Sequence, residues 1–240
     1  MRDWIRVLLN HHEQSLRRFP DQRLLVLFDV DDTFLDMRLA LASVLRAYDV
    51  AHGSAYFGAL DPATLDAFGR GIEDILVHCR VPADEQPRVL AWHQHERRCD
   101  EMIRLAHAPY QGLLELAGWL HGQPRTVVGI NSARPEFLRH DTLRCLNRLA
   151  MGSGLSFMDE LAWFTPHGWR DDVCTSKLAA IAQAQRRGDR VIALIDSNPA
   201  LLGCLAAADH GDDMLLLHSA DLLYLPAPAP RRARRATHAA

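Results

Sequence analysis

No stretch of this sequence is apolar for long enough to cross a membrane. Runs such as Leu24–Phe28 are far shorter than the roughly 20 residues a span requires. The opening residues reach His11 and His12 without the apolar segment of a secretory leader, so an exported protein is not expected. Cysteine is scarce: Cys79, Cys99, Cys145, Cys174 and Cys204 are odd in number, scattered, and include no C-x-x-C pair. That pattern predicts reduced thiols in a cytoplasmic protein, not a disulfide framework or zinc knuckle. A strong charge of one sign is missing as well. The net charge is −3, and without Arg231, Arg232, Arg234 and Arg235 of the Pro/Ala-rich tail the remainder carries −7. A mildly acidic body argues against nucleic acid as a partner, and the tail, residues 226–240, is expected to be disordered. Gly69-Arg70-Gly71 lacks the third glycine and preceding strand of a dinucleotide loop, and Gly152-Ser153-Gly154 reads as a turn.

What is present is an ordinary globular composition, 48% hydrophobic and 24% charged over 240 residues, enough for one large domain with an inserted module. Ile5, Leu8, Leu9, His12, Leu16 and Phe19 recur at helical spacing, so residues 1–20 are assigned to an N-terminal helix packed on the core. Leu24–Phe28 is apolar at every position, as a strand buried on both faces must be. Strands of similar character are predicted at Thr126–Ile130, Leu161–Thr165, Val191–Ile195 and Met214–Leu217. Helices are predicted between them at Pro135–Leu149 and Ser176–Arg187. Alternation of this kind predicts an α/β fold with a parallel, Rossmann-like sheet, assigned to residues 21–36 and 108–225. Residues 37–107 break the pattern with helical periodicity and no strand, and are read as a helical cap with helices starting near Arg38, Asp61-Pro62 and Glu85. His93-Gln94-His95-Glu96 is read there as a polar helix face, since residues two apart on a helix point in different directions.

The first strand runs directly into Asp29-Val30-Asp31-Asp32-Thr33. Three acids in four residues repel one another unless a cation or a proton offsets them, and ligands in open parallel sheets bind beyond the carboxyl ends of strands. Three further element ends carry matching chemistry. Asn131-Ser132-Ala133-Arg134-Pro135 follows a strand and leads into a predicted helix, where a hydroxyl beside free N–H groups suits phosphate or simply caps the helix. Lys177 lies in a first helical turn, where an anion nearby would explain a cation. Asp196 ends the Val191–Ile195 strand.

Taken in this order, the DxDxT of Asp29, Asp31 and Thr33, the strand-end Ser132, the helix-borne Lys177 and the strand-end Asp196 resemble the four motifs of the haloacid dehalogenase-like hydrolase superfamily. The helical insertion between the first two motifs resembles that superfamily's cap. The resemblance implies a phosphohydrolase in which Asp29 is the nucleophile and forms an aspartyl-phosphate, while Asp31 is the general acid and base. It implies magnesium held by Asp29, the main-chain carbonyl of Asp31, and Asp196. It also implies phosphate binding by Ser132, Lys177 and the N–H groups near Asp32 and Thr33, with Asn131 and Arg134 as candidate substrate contacts. Asp31 favours phosphoester cleavage over carbon–halogen cleavage, and phosphate transfer by a mutase uses the same set. Two departures stand out. Asp32 replaces a frequent glycine, and Ser197-Asn198 follow Asp196 where a second acid is common. The expectation is therefore a magnesium-dependent phosphatase of a small phosphorylated metabolite. The alternative is a protein of the same fold that binds a phosphorylated ligand but has lost efficient catalysis.

Overall fold

In the computed structural model, residues 4–65, 72–96, 108–168, 172–208 and 213–220 are described. The sheet is built around β1 (Arg23–Phe28), whose neighbours are β4 (Thr126–Pro135) on one side and β6 (Asp189–Asp196) on the other. Outside these lie β5 (Ala162–Thr165) and β7 (Leu215–His218), giving the all-parallel order β5-β4-β1-β6-β7. The chain leaves β1 toward β4 and β5, then returns across β1 to lay down β6 and β7. This reversal makes the carboxyl ends of β1, β4 and β6 the natural ligand crevice.

Alternation along β1 builds a layer on each face. Leu24, Val26 and Phe28 meet Leu8 of α1 (Trp4–Arg18), Leu113 and Leu114 of α5 (Gln111–His121), and Leu146 of α6 (Arg139–Leu149). Leu25 and Leu27 face the other way, onto Ala180, Ile181 and Ala184 of α7 (Val173–Arg186) and Leu201 and Leu205 of α8 (Pro199–Ala207). All five β1 side chains are fully buried. Each therefore contributes about 2 kcal/mol relative to exposure, which explains why this strand has no polar position after Arg23.

A third apolar cluster is separate from both layers. It joins Ala42, Leu45 and Tyr48 of α2 (Arg38–His52), Phe57, Leu60 and Leu65, Ile75 and Leu76 of α3 (Ile72–His78), and Val89 of α4 (Gln86–Glu96). The segment begins and ends at a short antiparallel pair, β2 (Leu35–Asp36) with β3 (Ala108–Pro109), which periodicity did not reveal because each strand is only two residues long. Only a three-residue 3-10 turn, Pro62–Thr64, forms where a helix was expected at Asp61-Pro62. Gly69-Arg70-Gly71 and the tail beyond residue 225 lie outside the described residues.

Two other expectations are corrected. β4 does not stop at Ile130. It continues through Ser132 and Arg134 to Pro135, which pairs with Thr165, and α6 begins only at Arg139 after a 3-10 turn. Ser132 thus belongs to a strand and is not at a helix N-terminus. The cysteines are not all reduced: Cys174 and Cys204 form a disulfide between α7 and α8. Thirty residues separate them, and only the packing of α7 beside α8 brings them together.

Candidate active site

The crevice is built from strand ends. Asp29 follows β1 directly, and its N–H donates to the carbonyl of Ile195, so the turn after β1 is stitched to β6 (2.9 Å). Asp196 closes β6. Lys177, in the second turn of α7, extends its ammonium between these two acids: Nζ donates to Asp29 Oδ1 at 2.9 Å and to Asp196 Oδ2. Lys177 and Asp196 are each 1% exposed and Asp29 is 6% exposed. A buried cation shared by two carboxylates is the central electrostatic feature of the site.

Each member of this trio shifts for a stated reason. Burial pushes the Asp29 carboxyl up to about 7; Lys177 pulls it down, while Asp196 and Asp31 push it further up. Burial alone would lower the Lys177 ammonium, but Asp29 and Asp196 outweigh burial and hold it above its ordinary value. Burial also lifts Asp32 to about 7, against the N–H of Met37 that donates to it at 3.0 Å and with the help of Asp31, Asp36 and Asp29.

The remaining residues of the first motif shape the turn. Asp32 adopts φ 53°, a left-handed conformation that aspartate and asparagine tolerate better than most side chains. The N–H of Asp32 donates to Leu35 and that of Thr33 to Val30, so in this structure both groups close the turn instead of facing a phosphate. Among the described residues the buried Thr33 hydroxyl has no hydrogen-bond partner.

Arg134, Asn131 and Ser132 are placed differently from expectation. Arg134 is 1% exposed, and its guanidinium holds Asp31: Nη2 donates to Oδ1 at 2.6 Å, and Nε is shared between Oδ1 and Oδ2 at 3.1 Å each. Nη1 donates to Thr142 Oγ1 at 3.0 Å, and the Arg134 carbonyl accepts from Thr165 Oγ1. Asn131 is buried too, and its amide donates to the carbonyl of Lys177 at 3.2 Å, tying β4 to the lysine's helix. Both candidate substrate contacts thus bond to other residues of the crevice, Arg134 to Asp31 and Asn131 to the Lys177 carbonyl. Ser132 lies two residues beyond Ile130, the register partner of Phe28, and its Oγ accepts the Arg134 N–H at 3.1 Å.

Three contributors escaped the sequence reading. Ser197 Oγ donates to the main-chain carbonyl of Asp31 at 3.0 Å, so the residue standing in place of a second acid supports the first motif. Ser219, just past β7, donates through Oγ to the Asp32 carbonyl and through N–H to the Asp196 carbonyl. Thr142 anchors Arg134. Ser219 and Thr142 carried no local signal, because each reaches the site only through tertiary packing.

The donor set suits a hard cation. Among the described residues no group of three or more His, Cys, Asp and Glu side chains gathers as a metal cluster. The implied ligands are instead two carboxylates and one main-chain carbonyl. Among the described residues Lys177 pairs with Asp29 and Asp196, and Arg134 pairs with Asp31. Magnesium is commonly held by one or two carboxylates together with water and substrate phosphate, so these residues fit such an ion.

No protein-family model and no curated protein sequence matches the chain. Solved structures that match include Protein Tyrosine Kinase A (PtkA) of Mycobacterium tuberculosis, at 14% identity over 82% of this chain and 84% of that one, with a TM-score of 0.48. A Lactobacillus plantarum protein described provisionally as a phosphoglycolate phosphatase is 16% identical over 84% of this chain and 98% of that one, with a TM-score of 0.45. A haloacid dehalogenase-like family hydrolase from Streptococcus pneumoniae is 11% identical over 83% of this chain and 96% of that one, with a TM-score of 0.46. This chain is similar to haloacid dehalogenase-like hydrolases among these solved structures.

Proposed function

We propose that the chain is a haloacid dehalogenase-like phosphohydrolase acting on a small phosphorylated metabolite. The observation that carries this reading is the buried Lys177 ammonium bridging Asp29 and Asp196 at the carboxyl ends of adjacent strands. A carboxylate held beside a cation, in a crevice that lies where parallel sheets bind ligands, suits in-line attack on phosphorus. An Asp29 oxygen forms a bond to phosphorus as the bond to the leaving oxygen breaks, giving an aspartyl-phosphate. Asp31, whose side chain keeps 32% of its surface open, delivers a proton to the leaving oxygen and then takes one from the water that hydrolyses the acyl-phosphate. Lys177 offsets charge on the transferring phosphoryl oxygens, and Ser132 on β4 is assigned to bind them as well. Magnesium would be held by Asp29, Asp196 and the Asp31 carbonyl, and would supply neutralisation of the phosphoryl charge. The helices of residues 37–107 are assigned to closure over the substrate and exclusion of water. The setting is assigned to the cytoplasm; no helix of the described residues is long and apolar enough to cross a membrane.

Purified protein is to be assayed on an aryl phosphate with magnesium and with a chelator. Hydrolysis that stops on chelation, returns with magnesium, and falls at least about a thousandfold in Asp29→Asn is expected, since removing a covalent nucleophile removes the pathway. Turnover indifferent to Asp29→Asn defeats the proposal. A second reading, binding of a phosphorylated ligand without efficient hydrolysis, is favoured by one observation: Ser197 already occupies the Asp31 carbonyl. Calorimetry that finds phospholigand binding but no magnesium binding would select it.

A further inference from the structure

The disulfide lies close to the machinery. Cys174 is in the first turn of α7, three residues before Lys177, and Cys204 is in α8, the helix that follows Asp196-Ser197-Asn198. The segment closed by the bridge therefore contains both Lys177 and Asp196. At its two inner ends the segment is already coupled to the site. Asn131 holds the Lys177 carbonyl, and Asn198 donates its N–H to Asp196 Oδ1 at 2.8 Å while its side chain caps α8 through Ala200 and Leu201. The bridge fastens the outer side, joining the first turn of α7 to α8 beyond their shared apolar contact of Ala180, Ile181, Ala184, Leu201 and Leu205. Cys204 is exposed and Cys174 half-buried, so a small thiol can reach the sulfurs. Exposed disulfides are the exchangeable kind, and in a reducing compartment such a bridge is characteristically transient or redox-sensing.

We propose that Cys174 and Cys204 form a reversible thiol–disulfide exchange site for low-molecular-weight thiols, whose closed state holds the Lys177 and Asp196 helices in register. The thiolate of a small thiol attacks Cys204 Sγ, forming a mixed disulfide and releasing the Cys174 thiolate. A second thiolate attacks the small-molecule sulfur of that mixed disulfide, releasing Cys204 and the oxidised small disulfide. Two electrons pass from the two small thiols to the bridge, and the oxidised small disulfide drives the reverse. Opening frees α7 to shift against α8, and the Lys177 ammonium loses its fixed position between Asp29 and Asp196. The effect on catalysis rests on the phosphohydrolase reading; the effect on helix order does not.

The full chain is to be incubated with reduced or oxidised glutathione, alkylated, and weighed, with backbone hydrogen exchange followed in both states. Expected on reduction are two additional alkylated thiols and faster exchange confined to residues 173–178 and 199–205, with β1 and β4 unchanged. The kcat on an aryl phosphate is expected to fall about tenfold, the size of a small misplacement of a catalytic group, and to return with oxidised glutathione. Cys204→Ser should match the reduced protein, and oxidised glutathione should not restore its slow exchange or its kcat, since at most Cys174 forms a mixed disulfide. A bridge that excess reduced glutathione leaves intact, or one that opens with exchange at α7 and α8 unchanged, overturns the proposal. If neither state hydrolyses phosphate, the phosphohydrolase reading fails, while the exchange data still decide the switch.

Discussion

The guanidinium of Arg134 grips both carboxylate oxygens of Asp31 across 103 residues of sequence, and it does so from a fully buried position. Bidentate geometry of this kind fixes the carboxylate plane as well as its place, which a lysine's single ammonium does not. Arg134→Lys is therefore expected to lower kcat by about 10- to 100-fold with little change in KM, since a misaimed acid–base group costs rate more than binding. Arg134→Ala should also destabilise the fold by about 3 kcal/mol, because Thr142 and Asp31 lose their shared buried partner. Steady-state kinetics beside urea midpoints separates the two effects. A KM rise at constant kcat would instead favour Arg134 as a substrate contact.

Lys177→Met tests the buried bridge without reference to turnover. The substitution leaves Asp29 and Asp196 facing a site with no ammonium, both almost wholly buried. Losing one side of such a network costs about 3–5 kcal/mol at neutral pH. The deficit should shrink as the pH falls from about 9 to about 6, because Asp29, near 7 even beside the ammonium, takes up its proton at a higher pH once Lys177 no longer pulls it down. Urea midpoints of both proteins at the two pH values provide the check; a deficit independent of pH would mean that packing alone is lost.

His12 supplies a pH dependence remote from the site. The Thr126 hydroxyl donates its single proton to the Pro124 carbonyl, so at 2.8 Å the imidazole Nε2 must be the donor to Thr126. Burial lowers the His12 pKa from 6.5, with Glu13 opposing and His11 adding to the fall. The unfolded chain then takes up this proton at a higher pH than the folded one does. The His12 contribution is therefore present above about 6.5 and lost as the pH falls through the depressed folded value. His12→Gln, which keeps a donor but does not titrate, should lose less stability than the natural protein between pH 8 and pH 5. Equal losses in denaturant melts would contradict this.

The parts of the site that were legible in the sequence were those written in neighbouring residues. DxDxT directly after an all-apolar strand placed Asp29 correctly because a strand buried on both faces has nowhere to go but the sheet centre, and its end has to open on the crevice. Asp196 was legible for the same reason. The helix expected from Pro135 starts later, at Arg139, because a proline favours a first helical turn as much as it tolerates a strand end. Pairing with Thr165 and the pull of Asp31 on Arg134 decided the outcome.

The sequence alone determined the alternation of strands and helices, the helical insertion after the first motif, and the order in which acids and the lysine follow one another. These depend on side-chain period and on turn chemistry within a few residues, so no distant contact is needed to specify them. Only the tertiary structure decided that Lys177 spans Asp29 and Asp196, that Arg134 turns inward onto Asp31, and that Cys174 finds Cys204 among five cysteines. Each of these joins residues between 19 and 148 positions apart. Such pairs meet only once the sheet has taken its order and burial has made an unpaired charge too costly to leave.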